Sequence, residues 1–170
     1  MVNIDPLKLL HYIGYYGPDI LFFVTFTLLF SDKMMIAVYI AGFFINLWLN
    51  EGLKSIFVEQ RPSQRCHSFN YDFTEKYTNV KELGAHEYGM PSGHAQAIFY
   101  SVAFIHFVLK NTNITLGYLL IALNTMYQRV LYKNHSIAQV FAGAAFGWLF
   151  GYFMYAIYYQ PQWLTRLLPK

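Results

Sequence analysis

The feature that most constrains this chain is a series of apolar stretches separated by polar breaks, most of them close to the length of a membrane-crossing helix, although the first is short for a span. A helix needs about 20 apolar residues to cross the hydrocarbon of a bilayer. Hydrophobic residues make up 56% of the chain and charged residues 12%, which is too apolar for an ordinary soluble domain. We therefore expect an all-α fold, a polytopic membrane helix bundle of about five spans. The expected spans cover residues 20–31, 34–50, 92–109, 112–128 and 135–159.

The breaks between these stretches carry helix-start and turn signals. Residues 6–16 are short and mixed in polarity, which is typical of an N-terminal interfacial helix. Gly17-Pro18-Asp19 predicts a break followed by a helix start, and Ser31-Asp32-Lys33 predicts a tight turn. The second stretch is expected to continue as helix to about Val58. With no repeats in 170 residues, we expect a single membrane-embedded domain over residues 1–170.

Charge is distributed unevenly along the chain. Every Asp and Glu lies at or before Glu87, and all charged residues after Glu87 are Lys or Arg. Acid–base chemistry in the second half must therefore use histidine or borrow a carboxylate from the first half. The basic residues after Glu87 are Lys110, Arg129, Lys133, Arg166 and Lys170.

Several classes of function are excluded by what the sequence lacks. The single cysteine, Cys66, excludes an internal disulfide and a thiolate zinc site. No histidine pair has the spacing of a recognisable metal site, so we expect metal-independent chemistry and no cofactor. No basic run is dense enough for nucleic acid binding. The polar segment 62–89 is the one extramembrane stretch large enough to act as a lid.

The first motif is Lys54 followed seven residues later by Arg61-Pro62. Seven residues are close to two helical turns, so both cations are expected on one helix face, with Pro62 ending the helix. Two cations fixed on one face favour a dianion such as phosphate. Asn46 and Asn50 extend a polar stripe to Lys54 that should face the bundle interior. The alternative is a snorkelling lysine and a helix-ending arginine.

The second motif is Pro91-Ser92-Gly93-His94, at the start of the third stretch. Proline suits the first turn of a helix, and Ser92 and Gly93 are expected to offer unblocked backbone N–H groups to an anion. His94 beside them can protonate an oxygen that leaves phosphorus. The alternative is a helix cap followed by a buried structural histidine.

The third motif is Arg129 followed six residues later by His135, across the turn between the last two stretches. Asn134 is expected to cap the last helix. A histidine at a helix N-terminus is favoured in its neutral form, which leaves a ring nitrogen free to attack phosphorus. Taken alone, Arg129 would read as an ordinary charge flanking a span.

Five spans place all three motifs on one side of the membrane, where they would hold a phosphate ester and cleave it through a phosphohistidine. The opposite side carries an excess of basic residues, which favours that side as cytoplasmic and the site as lumenal or external. The basic residues on the opposite side are Lys33, Lys110, Arg166 and Lys170, against Asp32 alone.

These motifs resemble the type-2 phosphatidic acid phosphatase superfamily, over about residues 46–151. The resemblance implies a lipid phosphate substrate and no metal requirement. It also implies that His94 is the general acid and His135 the nucleophile. The residues that it implies for phosphate binding are Lys54, Arg61, Ser92, Gly93 and Arg129.

Gln139 stands where that superfamily usually has an aspartate, which orients the nucleophilic histidine. Its amide oxygen can accept from the imidazole N–H but cannot stabilise an imidazolium as a carboxylate does. This predicts a slower enzyme, or one aided by Glu51 or Glu87.

Three further stretches resemble the dolichyl diphosphatase branch, which also carries glutamine at this position. The resemblance implies an isoprenoid diphosphate substrate and, in a eukaryote, the endoplasmic reticulum. Phosphatidic acid or sphingoid phosphates, and a weakened protein that binds or flips lipid phosphates, remain as alternatives. The stretches are Leu49-Asn50-Glu51-Gly52, residues 87–92 and residues 135–140.

Overall fold

The computed structural model describes residues 6–62, 64–65, 78–79 and 88–159. Most of the segment predicted to act as a lid therefore lies outside the described residues, as do Cys66, Glu87, Arg166 and Lys170. The described residues form six helices and one pair of two-residue strands. They are α1 (Pro6–Tyr15), α2 (Gly17–Leu28), α3 (Lys33–Phe57), β1 (Gln64–Arg65), β2 (Thr78–Asn79), α4 (Gly93–Leu109), α5 (Thr112–Leu131) and α6 (Ile137–Tyr159).

The limits of the first helices follow from local chemistry. α2 begins at Gly17 with Pro18 in its first turn, where the missing N–H would have no helical partner. α3 begins after Asp32, whose carboxylate accepts from the backbone N–H of Met35 at 2.9 Å. α3 ends before Val58, which has left-handed backbone geometry with φ 49°. Both predicted breaks and the predicted helix end near Val58 are confirmed.

α4 is the central helix and packs against α2, α3, α5 and α6. Tyr39 from α3 packs against Tyr100 and Phe104 from α4 in the middle of the core, where none of the three rings has exposed surface. The Tyr100 hydroxyl donates to the Tyr39 carbonyl at 2.8 Å, so the polar ends of these rings are satisfied inside the bundle. These contacts hold the middle of α4 against α3.

α6 lies directly against the backbone of α4 along a stripe of glycines. A Cβ at Gly143 would meet the backbone of Ser92, the cap of α4, and a Cβ at Gly147 would meet the backbone of Gln96. Gly151 repeats the same approach to Tyr100 one turn later. Small residues at every fourth position allow this close contact, and the stripe serves packing within the chain.

Two of the helices, α3 and α6, are long and apolar enough to cross a membrane by length and composition. α2 and α4 are apolar but have 12 and 17 residues, short of the about 20 that a span needs. α5 has 20 residues but carries polar groups that include Asn124 and Gln128. Within the described ranges only α3 and α6 meet the criterion, so the expected count of about five spans stays a prediction.

Backbone hydrogen bonds link the residues just after α3 to the residues just before α4. Gln60 and Tyr88 form an antiparallel bridge, and the N–H of Gly89 donates to the Glu59 carbonyl at 2.7 Å. β1 and β2 pair antiparallel between these points. The residues that follow α3 therefore run beside the residues that precede α4.

Candidate active site

All three motifs contribute to one cavity of about 600 Å³ that lies among α2, α3, α4 and α5. Its polar wall contains two histidines, one lysine and two arginines, each from a predicted motif. Its remaining wall includes apolar side chains from α2 and α3. The motif residues that line it are Lys54, Arg61, Gly93, His94, Arg129 and His135.

Lys54 reaches the cavity from the buried face of α3. Asn46, Asn50 and Lys54 are at most 5% exposed, so the predicted polar stripe does face the bundle interior. The Lys54 ammonium pairs with the Glu51 carboxylate at 2.6 Å. Glu51, which sequence reasoning offered as an aid to His135, contacts Lys54 instead.

Arg61 does not share a helix face with Lys54, and that prediction is wrong. α3 ends at Phe57, four residues before Arg61, with the left-handed residue Val58 as its cap, and residues 58–62 are not helical. The seven-residue spacing therefore has no helical meaning here. Arg61 lines the same cavity as Lys54, but reaches it from the segment after α3.

A ladder of buried amides sets the distance between α3 and α4. The Asn50 side chain donates to the Gln96 amide oxygen at 2.8 Å and to the Pro91 carbonyl at 3.2 Å. The Gln96 side chain donates to the carbonyl and the side-chain oxygen of Asn46, both at 3.0 Å. These bonds fix the second motif against the helix that carries Lys54. Gln96 was missed at the level of sequence, because a lone amide in an apolar stretch gives no distinct signal.

Ser92 positions α4 and is not among the residues that line the cavity. Its hydroxyl accepts from the N–H of Ala95, and its own N–H donates to the Gln139 carbonyl at 2.9 Å. The expectation that Ser92 offers an unblocked N–H to an anion is therefore wrong. Gly93, the first residue of α4, does line the cavity.

His94 and Arg129 are in contact at one side of the cavity. Nε2 of His94 lies 3.5 Å from Nη1 of Arg129. The Arg129 guanidinium is held from two sides: its Nε donates to the Gln128 amide oxygen at 2.7 Å, and it lies 4.9 Å from the ring centroid of Tyr15. Tyr15 also contacts the His94 ring, with centroids 5.7 Å apart. Tyr15 belongs to α1 and was not anticipated from the sequence.

His135 lies in the turn between α5 and α6, before the helix begins. Its N–H and that of Asn134 both donate to the Arg129 carbonyl, so the turn is tied to the end of α5. Nε2 of His135 lies 3.5 Å from Nη1 of Arg61. Burial, together with the positive charges of Arg61 and Arg129, holds the pKa of His135 well below its usual range. The ring is therefore neutral near pH 7.

The start of α6 is a capping box, and the cap is Ser136. The N–H of Gln139 donates to the Ser136 hydroxyl at 3.2 Å, and the N–H of Ser136 donates to the Gln139 side-chain oxygen at 3.1 Å. Asn134 was predicted to cap this helix, which is wrong because α6 starts two residues later than expected, at Ile137. The Ser-x-x-Gln spacing is a sequence signal that could have identified the cap.

Nδ1 of His135 is surrounded by acceptors. The Gly89 carbonyl lies 3.0 Å from it and the Gln139 side-chain oxygen 3.3 Å. Because Ser136 N–H donates to the same Gln139 oxygen, that atom is the amide oxygen and not the nitrogen. Nδ1 therefore carries the ring proton, and Nε2 keeps its lone pair on the side of the cavity.

The amide nitrogen of Gln139 points away from the histidine, toward the segment after α3. It donates to the Glu59 carboxylate at 2.8 Å and to the Gln60 carbonyl at 2.9 Å. Gly89 packs against the same amide so closely that a Cβ there would overlap it. Sequence reasoning named Glu51 and Glu87 as possible helpers of His135 and missed Glu59; Glu87 lies outside the described residues.

In the part of the chain that the structure describes, no three His, Cys, Asp or Glu side chains are grouped closely enough to hold a metal ion. The polar wall of the cavity instead combines five cationic or imidazole side chains with the carboxylates of Asp19 and Glu51, of which Glu51 pairs with Lys54. Such a wall can surround a tetrahedral anion on several sides.

The chain matches the family model of the PAP2 superfamily over residues 34–163, which is more than half of its length. It belongs to this superfamily, whose members are phosphatases, and this confirms the superfamily predicted from the motifs. Comparisons with curated proteins and with solved structures each gave no significant match.

Proposed function

We propose that this protein is an integral-membrane lipid phosphatase that cleaves a lipid phosphate, or an isoprenoid diphosphate, through a phosphohistidine. One observation carries the proposal. Two imidazoles line the same cavity, and Nε2 of each lies 3.5 Å from an arginine Nη1. An anion between the rings would meet His94 with Arg129 on one side and His135 with Arg61 on the other.

In the first half-reaction His135 acts as the nucleophile. Its Nε2 lone pair attacks phosphorus and forms an N–P bond while the P–O bond to the lipid breaks. His94 donates its proton to the departing oxygen, so the lipid leaves as an alcohol or, from a diphosphate, as a monophosphate. The negative charge of the bound phosphate favours the protonated form of His94 that this step needs.

In the second half-reaction water replaces the histidine on phosphorus. His94, now neutral, accepts a proton from the attacking water, and the N–P bond breaks to release inorganic phosphate and free His135. Throughout both steps the non-bridging oxygens are surrounded by cations that stabilise the charge on phosphorus. Those cations are Lys54, Arg61 and Arg129, with Gly93 at the positive end of α4.

The other wall of the cavity supports a lipid substrate. Phe43, Leu47 and Trp48 of α3 line it, and Trp48 is 81% exposed at the outer surface of the helix. An acyl or isoprenoid chain could leave the phosphate site between α2 and α3 along these side chains. The apolar character of α3 and α6 supports placement in a bilayer, with the site proposed on the lumenal or external side.

The choice of an isoprenoid diphosphate rests on the resemblance to the dolichyl diphosphatase branch, including the glutamine at position 139. We propose hydrolysis without a metal cofactor, since the cationic wall already supplies the charge that a metal would bring. Phosphatidic acid and sphingoid phosphates also present a terminal phosphate, but they are monoesters that leave an alcohol, and their apolar parts differ. They are therefore the comparison substrates.

The test is phosphate release by the purified full chain in detergent, with and without EDTA, over isoprenoid diphosphates, phosphatidic acid and sphingoid phosphates. We expect turnover that survives EDTA, is inhibited by vanadate, and falls by at least about a thousandfold in His135→Ala. Full activity in His135→Ala would refute the mechanism. Binding of these lipids by the unmodified chain without any turnover would instead favour a protein that holds or flips lipid phosphates.

A further inference from the structure

We infer that Glu59 is a positioning residue, whose carboxylate acts on His135 through the side-chain amide of Gln139. The inference rests on the proposed role of His135 as nucleophile. The contacts run in one line: Glu59 Oε1 accepts from Gln139 Nε2 at 2.8 Å, and Gln139 Oε1 lies 3.3 Å from His135 Nδ1. No sequence motif includes Glu59.

The first effect of this line is on the orientation of the amide. A glutamine amide can rotate by half a turn and exchange its oxygen and nitrogen, which would present N–H groups to His135. The acceptors on the far side, Glu59 and the Gln60 carbonyl, bind only the nitrogen end, while Ser136 N–H binds only the oxygen end. The amide is held with its oxygen toward Nδ1.

The second effect is on charge. When Nε2 of His135 bonds to phosphorus, the ring becomes positive, and its charged neighbours Arg61 and Arg129 are positive as well. The Gly89 carbonyl and the Gln139 oxygen supply dipoles only. A carboxylate behind the amide polarises it toward the ring and supplies the negative charge that an amide alone lacks.

This arrangement explains why glutamine can stand where an aspartate would orient the ring directly. The functions of that aspartate are divided between two residues, with Gln139 providing the acceptor and Glu59 the charge. Gln139 also closes the capping box with Ser136, so its position is fixed by the start of α6. The backbone contact between Glu59 and Gly89 brings the carboxylate to the same place.

The kinetic test compares Glu59→Gln with Asp32→Asn in the purified full chain. Both replace a carboxylate by its amide, and Asp32 is a matched control because it caps the opposite end of α3 and asparagine caps equally well. We expect Glu59→Gln to lower kcat by about tenfold or more with KM changed by less than about twofold, since partners behind a functional imidazole typically matter at that level. Asp32→Asn should leave both constants unchanged.

A charge-transfer variant separates positioning from simple packing. Gln139→Asp alone places two carboxylates in contact and should reduce kcat. Gln139→Asp combined with Glu59→Gln moves the single negative charge next to the ring, and we expect its kcat to exceed that of Glu59→Gln alone. A double variant no better than Glu59→Gln, or a Glu59→Gln variant with normal kcat, would overturn the inference and leave the proposed function intact.

A spectroscopic measurement tests the role of Glu59 without any turnover. If no substrate is hydrolysed, the proposed function fails, but this measurement still tests the inference. In protein labelled with ¹⁵N-histidine, the His135 signals are assigned by their loss in His135→Ala. We expect the unmodified chain to show a protonated Nδ1, and its resonance to shift in both Glu59→Gln and Gln139→Ala but not in Asp32→Asn. An Nδ1 resonance with the same chemical shift in Glu59→Gln as in the unmodified chain would show that the carboxylate does not act on the ring.

Discussion

The guanidinium of Arg129 lies over the ring of Tyr15, 4.9 Å from its centroid, so the first helix contacts a residue that lines the cavity. α1 also packs on α5, where the Asn124 side chain donates to the Leu10 carbonyl at 2.8 Å. The N-terminal helix, which was expected only to lie at the membrane interface, thus contacts Arg129, one of the residues proposed to bind phosphate. The aromatic face restricts where Arg129 can place its charge.

Replacing Tyr15 tests this contact. Tyr15→Phe keeps the ring and should leave KM within about twofold, whereas Tyr15→Ala should raise KM by about two- to tenfold, the range expected from a cation–π contact. The measurement is the steady-state kinetics of phosphate release. Equal KM values for the two variants would show that the ring does not position Arg129.

Arg61→Lys tests the planar guanidinium beside His135. Lysine keeps the positive charge but cannot bind two phosphate oxygens at once, so we expect kcat/KM to fall by about tenfold or more. The parallel variant Lys133→Arg changes an exposed cation in the turn after α5 and serves as the control. A kcat/KM for Arg61→Lys equal to that of the control would argue that Arg61 contributes charge alone.

Gln96→Leu tests the amide ladder between α3 and α4. The substitution removes the partners of Asn46 and Asn50, and each buried amide left unsatisfied destabilises the fold by about 1–3 kcal/mol. We expect a lower midpoint of thermal unfolding in detergent. Asn113→Ala, at an exposed amide of α5, should shift the midpoint little. Similar midpoints for both variants would mean that the ladder does not hold α3 against α4.

Gly147→Ala tests the close approach of α6 to α4. The added Cβ would overlap the Gln96 carbonyl, so we expect destabilisation of about 1–3 kcal/mol, seen as a lower unfolding midpoint. Gly117→Ala in α5 is the matched control, because its Cβ would meet nothing within 4 Å. Alanine there should be neutral or stabilising by up to about 1 kcal/mol, since glycine is a poor helix former. Tolerance of both substitutions would show that the helices can separate at little cost.

Much of the fold could be predicted from local signals. Pro18 and Asp32 mark helix starts by their own chemistry, and the buried polar stripe through Asn50 follows from the helical repeat. The Lys54–Arg61 spacing was misread because spacing carries meaning only while the helix lasts, and the left-handed residue Val58 ends it.

The candidate site was only partly predictable, because its finest contacts join residues far apart in the sequence. The carbonyl of Gly89 and the carboxylate of Glu59 reach the His135–Gln139 pair through tertiary packing, and no motif links them. Ser136 is a different case: its capping box with Gln139 can be read from spacing alone. Backbone and through-space partners of this kind need coordinates.

The bridge between Gln60 and Tyr88 has a consequence for engineering. Because the bridge lies beside the backbone that carries Glu59 and Gly89 to His135, the geometry around this histidine is held on both sides of residues 63–87. A substitution that breaks the bridge would therefore displace both partners of the histidine at once, so engineering of this chain should leave Gln60 and Tyr88 unchanged.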